Sequence, residues 1–179
     1  VTIEASNGNM VGGTIDEDTN QISGNTDVGI FITTGAKTNH VAGNLIGTDP
    51  TGNTALGNGG GVIIDQGVMN NTIGGGPAER NIISGNNIGS GVGIYYANVA
   101  GQNSIAGNYI GTNKAGTGKV ANIWGVGILA SNISLGSATS TPNIISGNDK
   151  GVVISNAGSQ LSNVNIVNNR IGTDATGNN

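Results

Sequence analysis

The chain has 179 residues, about the size of one domain, with 34 Gly, 28 Asn and only 9% charged residues, where an ordinary soluble domain carries roughly 25%. Its net charge of −4 and many Ile and Val exclude disorder, 3 Pro against 34 Gly exclude collagen, and six cations (Lys37, Arg80, Lys114, Lys119, Lys150, Arg170) are too few for the basic stripe that binds nucleic acid. No apolar run reaches the roughly 18 residues of a membrane insertion, and zero Cys removes disulfides, thiolate metal sites and cysteine nucleophiles.

The first predicted element is a strand opening at Val1. Its valine-led pattern returns at Val28, Val62, Val92, Val126 and Val152, which divides residues 1–179, read as a single domain, into six like units. Two residues after each valine stands an isoleucine: Ile3, Ile30, Ile64, Ile94, Ile128 and Ile154. These two sets are predicted to point inward. The middle element of each unit supplies another inward column, Val11, Val41, Ile73, Ile105, Leu135 and Ile166.

The third element starts at an asparagine. Asn20-Gln-Ile22, Asn44-Leu-Ile46, Asn81-Ile-Ile83, Asn108-Tyr-Ile110, Asn143-Ile-Ile145 and Asn169-Arg-Ile171 align without a gap. The isoleucine never varies while its neighbour runs from Gln to Tyr to Arg, which is period-two alternation with one face inward. Asn suits the bend before the strand because it tolerates left-handed or bridging backbone, and stacked amides can hydrogen-bond along an axis. After this strand two kinds of unit alternate. Ile22-Ser-Gly-Asn25 recurs at Ile83 and Ile145 with spacings of 61 and 62; Ile46-Gly-Thr-Asp49 recurs, ending in Asn113 and Asp174, with spacings of 64 and 61.

Three short strands per unit, with like residues at like places, predict an all-β chain. It is a parallel β-helix of about six coils and three short parallel sheets, in which like residues stack about 4.8 Å apart. A helical solenoid fails because Gly and Asn, poor helix formers, recur inside every segment. Val1 is already an inward strand residue, and Asp174-Ala-Thr-Gly-Asn178 stops where Asp49-Pro-Thr-Gly-Asn53 runs on to the next coil. The expectation is therefore a piece of a longer stack, with adjoining coils or other copies meeting it end to end.

The Asn-x-Ile-x-Gly-Asn, Ile-Gly-Thr-Asp and Gly-Val-x-Ile punctuation resembles the right-handed parallel β-helix of the pectate lyase superfamily, in particular the repeat arrays of secreted or surface bacterial proteins. That resemblance implies an extracellular or cell-surface setting. It is nearly silent on activity, because the superfamily holds lyases, hydrolases, epimerases, tailspikes and adhesins. It also implies that any enzymatic site lies on the outer face of the first sheet.

By alternation that face carries two columns: Thr2, Gly29, Ile63, Gly93, Gly127, Val153, and Glu4, Phe31, Asp65, Tyr95, Leu129, Ser155. The superfamily's lyases imply clustered carboxylates for calcium and a basic residue for the proton; neither appears in these columns. Its hydrolases imply Asn-x-Asp, an Asp pair, Gly-His-Gly and Arg-x-Lys. Of these only Asn25-Thr-Asp27 is present, and Asp27 reads as a turn residue at the place held by Gly61, Gly91, Gly125 and Gly151 in other coils. Glu4 and Asp65 are expected two coils apart, about 10 Å, with Phe31 between them, on a face too open to raise a carboxyl pKa for glycosidic catalysis. The Asp49 and Asp174 loops faintly resemble calcium loops, but Lys114 stands in the matching middle loop and such loops are two coils apart, so Asx-turns account for them. His40 reads as a plain surface histidine.

No catalytic, cofactor or metal residues are therefore predicted. Two surface features remain. Leu45, Ile82, Tyr109 and Ile144 form an outward apolar column on the third strands, either an interface or a surface covered by the chain's own loops; if uncovered, Tyr109→Ser should cost under about 1 kcal/mol. Phe31 and Tyr95, with Glu4 and Asp65, offer aromatic faces for a polysaccharide. The favoured function is a non-catalytic structural or adhesive extracellular module, a stalk, adhesin spine or fibre subunit, and the alternative is a carbohydrate-active or carbohydrate-binding β-helix.

Overall fold

The computed structural model describes residues 1–95, 102–156 and 160–178. Coil one holds β1 (Thr2–Glu4), β2 (Met10–Gly12) and β3 (Gln21–Ile22); coil two β4 (Val28–Thr33), β5 (His40–Ala42) and β6 (Leu45–Ile46); coil three β7 (Gly60–Asp65), β8 (Thr72–Gly74) and β9 (Ile82–Ile83). Coil four holds β10 (Ser90–Tyr95), β11 (Asn103–Ala106) and β12 (Tyr109–Ile110); coil five β13 (Trp124–Leu129), β14 (Ile133–Leu135) and β15 (Asn143–Ile145); coil six β16 (Lys150–Ile154), β17 (Val164–Ile166) and β18 (Asn169–Ile171). Every third strand pairs with its successor one coil on, giving three six-stranded parallel sheets, β1-β4-β7-β10-β13-β16, β2-β5-β8-β11-β14-β17 and β3-β6-β9-β12-β15-β18. The six strands of each sheet are separated by five steps along the axis, so the fold is a β-solenoid of about five turns from the first coil to the last, against the predicted six. Among the described residues, helix is limited to two three-residue 3-10 turns, Asp16–Asp18 and Pro77–Glu79.

The middle and third ladders have the expected register. Val11, Val41, Ile73, Ile105, Leu135 and Ile166 pair in succession, as do Ile22, Ile46, Ile83, Ile110, Ile145 and Ile171. The first sheet differs at coil two. Ile30 pairs with Val62 and Ile32 with both Ile3 and Ile64, while Val28 pairs with Gly60. The expected alignment of Val28 with Val62 and of Ile30 with Ile64 is off by two residues. The inward columns are thus Ile30, Val62, Val92, Val126, Val152 and Ile3, Ile32, Ile64, Ile94, Ile128, Ile154. Ile30, Ile32, Ile64, Ile94 and Ile128 are wholly buried, each contributing about 1.5–3 kcal/mol of transfer free energy.

Asparagine holds all three corners. The predicted ladder Asn20-Asn44-Asn81-Asn108-Asn143-Asn169 is continuous, each side-chain amide donating to the next coil's Oδ1. Two further ladders run beside it: Asn9-Asn39-Asn71-Asn103 and Asn25-Asn58-Asn86-Asn122-Asn148. Interior members also donate to a backbone carbonyl of the preceding coil, as Asn81 does to Val41 and Asn122 to Ile83. Backbone tolerance is not the reason for these residues. Among the described positions none of the ladder asparagines has positive φ; the left-handed residue at several corners is the one before, such as Gly43, Gly107, Thr38 or Gly85.

The apolar column Leu45, Ile82, Tyr109 and Ile144 has the predicted register but is not an open interface. These residues are only 6%, 4%, 9% and 3% exposed and form a second small core with Ala175. Loops of alternate coils close over it. Lys114 N–H donates to Gly52 O at 2.8 Å and Ala175 N–H to Gly116 O at 2.9 Å, so loops that start two coils apart are in direct contact. The pairing of coils in the sequence repeat follows from this, because only every second coil carries the covering loop. Tyr109 lies beneath the Arg80 guanidinium, 4.1 Å from its ring centre. Tyr109→Ser should accordingly cost about 3 kcal/mol, measured by equilibrium urea unfolding; a loss under about 0.5 kcal/mol would show the loops do not hold this layer.

Candidate functional site

The corrected register rebuilds the outer face of the first sheet. Its columns are Val28, Gly60, Ser90, Trp124, Lys150; then Thr2, Phe31, Ile63, Gly93, Gly127, Val153; then Glu4, Thr33, Asp65, Tyr95, Leu129. Phe31 therefore lies beside Ile63, and Thr33, not Phe31, stands between Glu4 and Asp65. Asp27 aligns with Gly59, one residue before the Val28–Gly60 pair, and the turn position assigned to it belongs to Gly29.

Small residues make this face concave. Gly93 has no side chain, so the Tyr95 ring lies down over it: a methyl group there would sit 2.7 Å from Tyr95 Cζ and 2.7 Å from Ile63 Cδ1. Gly127 does the same for Trp124, whose Cε3 is 3.1 Å from where its methyl would be. Tyr95 Oη shares a hydrogen bond with Ser90 Oγ at 3.2 Å, and Lys150 Nζ stands 5.6 Å from the Trp124 ring centre, within cation–π reach. A groove of about 360 Å³ runs past Phe31, Ile63, Asp65, Ile88 and Tyr95. A second hollow of about 280 Å³ continues it between Tyr95 and Trp124. Ile88, 71% exposed, forms an apolar lip shared by both.

Of the residues predicted for glycan contact, the groove brings together Phe31, Tyr95 and Asp65; Glu4 lies outside its lining. Asp65 is half-buried. Burial raises its carboxyl pKa above the ordinary value, opposed by the Gln66 N–H that donates to Oδ1 at 2.7 Å. The other carboxylate on the groove, Asp27, lies six strand residues from the Asp65 level, about 20 Å along the sheet. Two carboxyls that must flank one glycosidic bond stand no more than about 9.5 Å apart, so Asp27 and Asp65 cannot share a bond. Trp124, Ile88 and Ile123 were not anticipated. Their signal was available: Trp124, the only Trp, directly precedes Gly125, as Ser90 precedes Gly91 on the same face.

Elsewhere the acidic loops are closed on themselves. Asp49 Oδ1 accepts from the Asn53 and Thr54 N–H groups and the Thr51 hydroxyl, and its pKa is lowered, chiefly by the Thr54 N–H. Asp174 is lowered chiefly by the Thr176 hydroxyl. Asn113 accepts from the Thr117 and Gly118 N–H groups. These are the predicted Asx-turns. His40 is half-buried, with Nε2 2.7 Å from Gly74 O and 3.9 Å from Glu79 Oε1.

Comparison with models of known families, with curated proteins and with solved structures finds no match.

Proposed function

We propose that the chain is a non-catalytic structural or adhesive module, a segment of an extracellular or surface rod. The observation that carries this reading is the continuity of its ladders. Three asparagine stacks with amide links of 2.7–3.2 Å run from coil to coil, so much of the polar side-chain chemistry serves to hold the axis. A low charge and a lack of thiols suit an exposed scaffold. Membership of the pectate lyase superfamily is the finer form of this proposal, and the repeat punctuation supports it. Its partners would be coils of like register that continue the asparagine and isoleucine ladders.

The aromatic groove favours a second reading, contact with a polysaccharide. Phe31, Tyr95 and Trp124 present ring surface beside Asp65 and Ser90, and aromatic residues of this kind combine an apolar face with a polar handle. Incubation with neutral and acidic polysaccharides tests both. The expected result is no release of reducing or unsaturated ends; release by the wild-type chain that Asp65→Ala abolishes would overturn the non-catalytic reading. Affinity electrophoresis in the same polysaccharides should show retardation that Trp124→Ala removes, and unaltered mobility in every gel would dismiss the glycan contact.

A further inference from the structure

We infer that a cleft on the third-sheet side, outside the aromatic groove, binds a compact oxoanion, the carboxylate or phosphate group of a small molecule. The cleft encloses about 210 Å³ above Leu45 and Ile82. Thr14, Asp16 and Thr19 of the first coil form one wall; Arg80, which follows the 3-10 turn Pro77–Glu79, and Lys114 of the covering loop form the other. Two of the chain's six cations thus converge from different coils.

Among the described residues neither is in an ion pair, and Asp16 stays outside ion-pair distance of both. Both cations line a cleft whose one acidic lining residue is Asp16, so an entering anion gains from two positive charges. Arg80 is also held in place before any ligand arrives. Its Nε donates to Gly107 O at 3.1 Å, and its plane rests on the Tyr109 ring at 4.1 Å. Among the described residues its Nη groups have no hydrogen-bond partner. A guanidinium fixed by stacking, with its outer fork unused, matches the paired oxygens of a carboxylate or phosphate, and a lysine beside it adds a point charge. The Thr14 and Thr19 hydroxyls can donate to the same group. Asp16 opposes the anion and limits how much negative charge the cleft accepts.

Amide chemical shifts of the full chain, titrated with inorganic phosphate or sodium acetate at constant ionic strength, test this. Saturable shifts confined to the cleft are expected. Lys114→Gln, on an exposed loop, should weaken them severalfold and Arg80→Gln about tenfold or more, the scale of a lost charge-assisted hydrogen bond. Arg80→Lys, which keeps the charge but loses the fork, guards against a folding defect and should also weaken binding. Asp16→Asn should tighten it. Binding of phosphate alone, acetate alone or both identifies the oxoanion. The proposal is overturned by no saturable shift with either anion, by equal displacement with chloride, or by unaltered affinity in Lys114→Gln and Arg80→Lys.

Discussion

Asn81→Ala is expected to destabilise the chain by about 3–5 kcal/mol, because several buried groups lose their partner at once. Asn81 is fully buried. Its Oδ1 accepts from the Asn44 backbone N–H and the Asn44 side-chain amide, and its own amide donates to Val41 O and Asn108 Oδ1. Alanine removes all four bonds and leaves a void too confined by the neighbouring coils to be remade by packing. The loss falls in coil three, where each coil is supported by the one on either side, so unfolding spreads along the stack. Asn53 is the control: it is exposed on a covering loop, and its backbone N–H, which alanine keeps, makes the bond to Asp49. Asn53→Ala should change stability by less than about 0.5 kcal/mol. Equilibrium urea unfolding of both variants decides the matter, and similar small losses would mean the amide ladders contribute little.

Much of the fold was legible because its strongest signals were columns of identical residues. The Asn-x-Ile marker fixed the third sheet without error: the asparagine and the isoleucine have separate jobs, one joining neighbouring corners and one filling the core. The other two asparagine ladders were harder to see. Asn39, Asn71 and Asn103 stop short of coil five, where Ile133 takes the equivalent place, and Asn25, Asn58 and Asn86 sit in turns of unequal length. The covering loops were visible in the sequence as the alternate-coil repeat but not as a layer, since the repeat does not say that residues such as Gly52 and Lys114, 62 positions apart, touch. The one register error arose at coil two. Val28-Gly-Ile30 and Val62-Ile-Ile64 look alike, and a slip of two residues keeps every side chain on its own face, so alternation cannot detect it. That slip misplaced Phe31 and Asp27, whereas Trp124 escaped notice because each strand was begun at its valine, two residues after the outward Ser90 and Trp124. A different marker avoids it: Gly29-Ile-x-Ile32, Gly61-Val-x-Ile64, Gly91-Val-x-Ile94, Gly125-Val-x-Ile128 and Gly151-Val-x-Ile154 are in true register.

Gly61→Ala should cost at least about 3 kcal/mol, at the top of the range for forcing a methyl into a packed core, since this glycine column exists for want of space. Gly29, Gly61, Gly91, Gly125 and Gly151 each bring the first strand against the third-strand isoleucine of the same coil. A methyl on Gly61 would lie 2.6 Å from Ile83 Cγ2, would collide with the Gly91 carbonyl oxygen and would press on Asn86 Nδ2 at 3.1 Å. The first two obstacles are a packed core side chain and backbone, so neither can swing aside, and the third is an asparagine already bonded to Asn122. Gly67 separates this effect from backbone preference. It has φ +76° with nothing within 4 Å of an added methyl, so Gly67→Ala should cost only the 1–2 kcal/mol or so of left-handed strain. Thermal and urea unfolding of the two variants give the comparison. A Gly61 variant no worse than the Gly67 variant would mean that the coils can part enough to admit a side chain at this corner, and the glycine column would then carry no information about register.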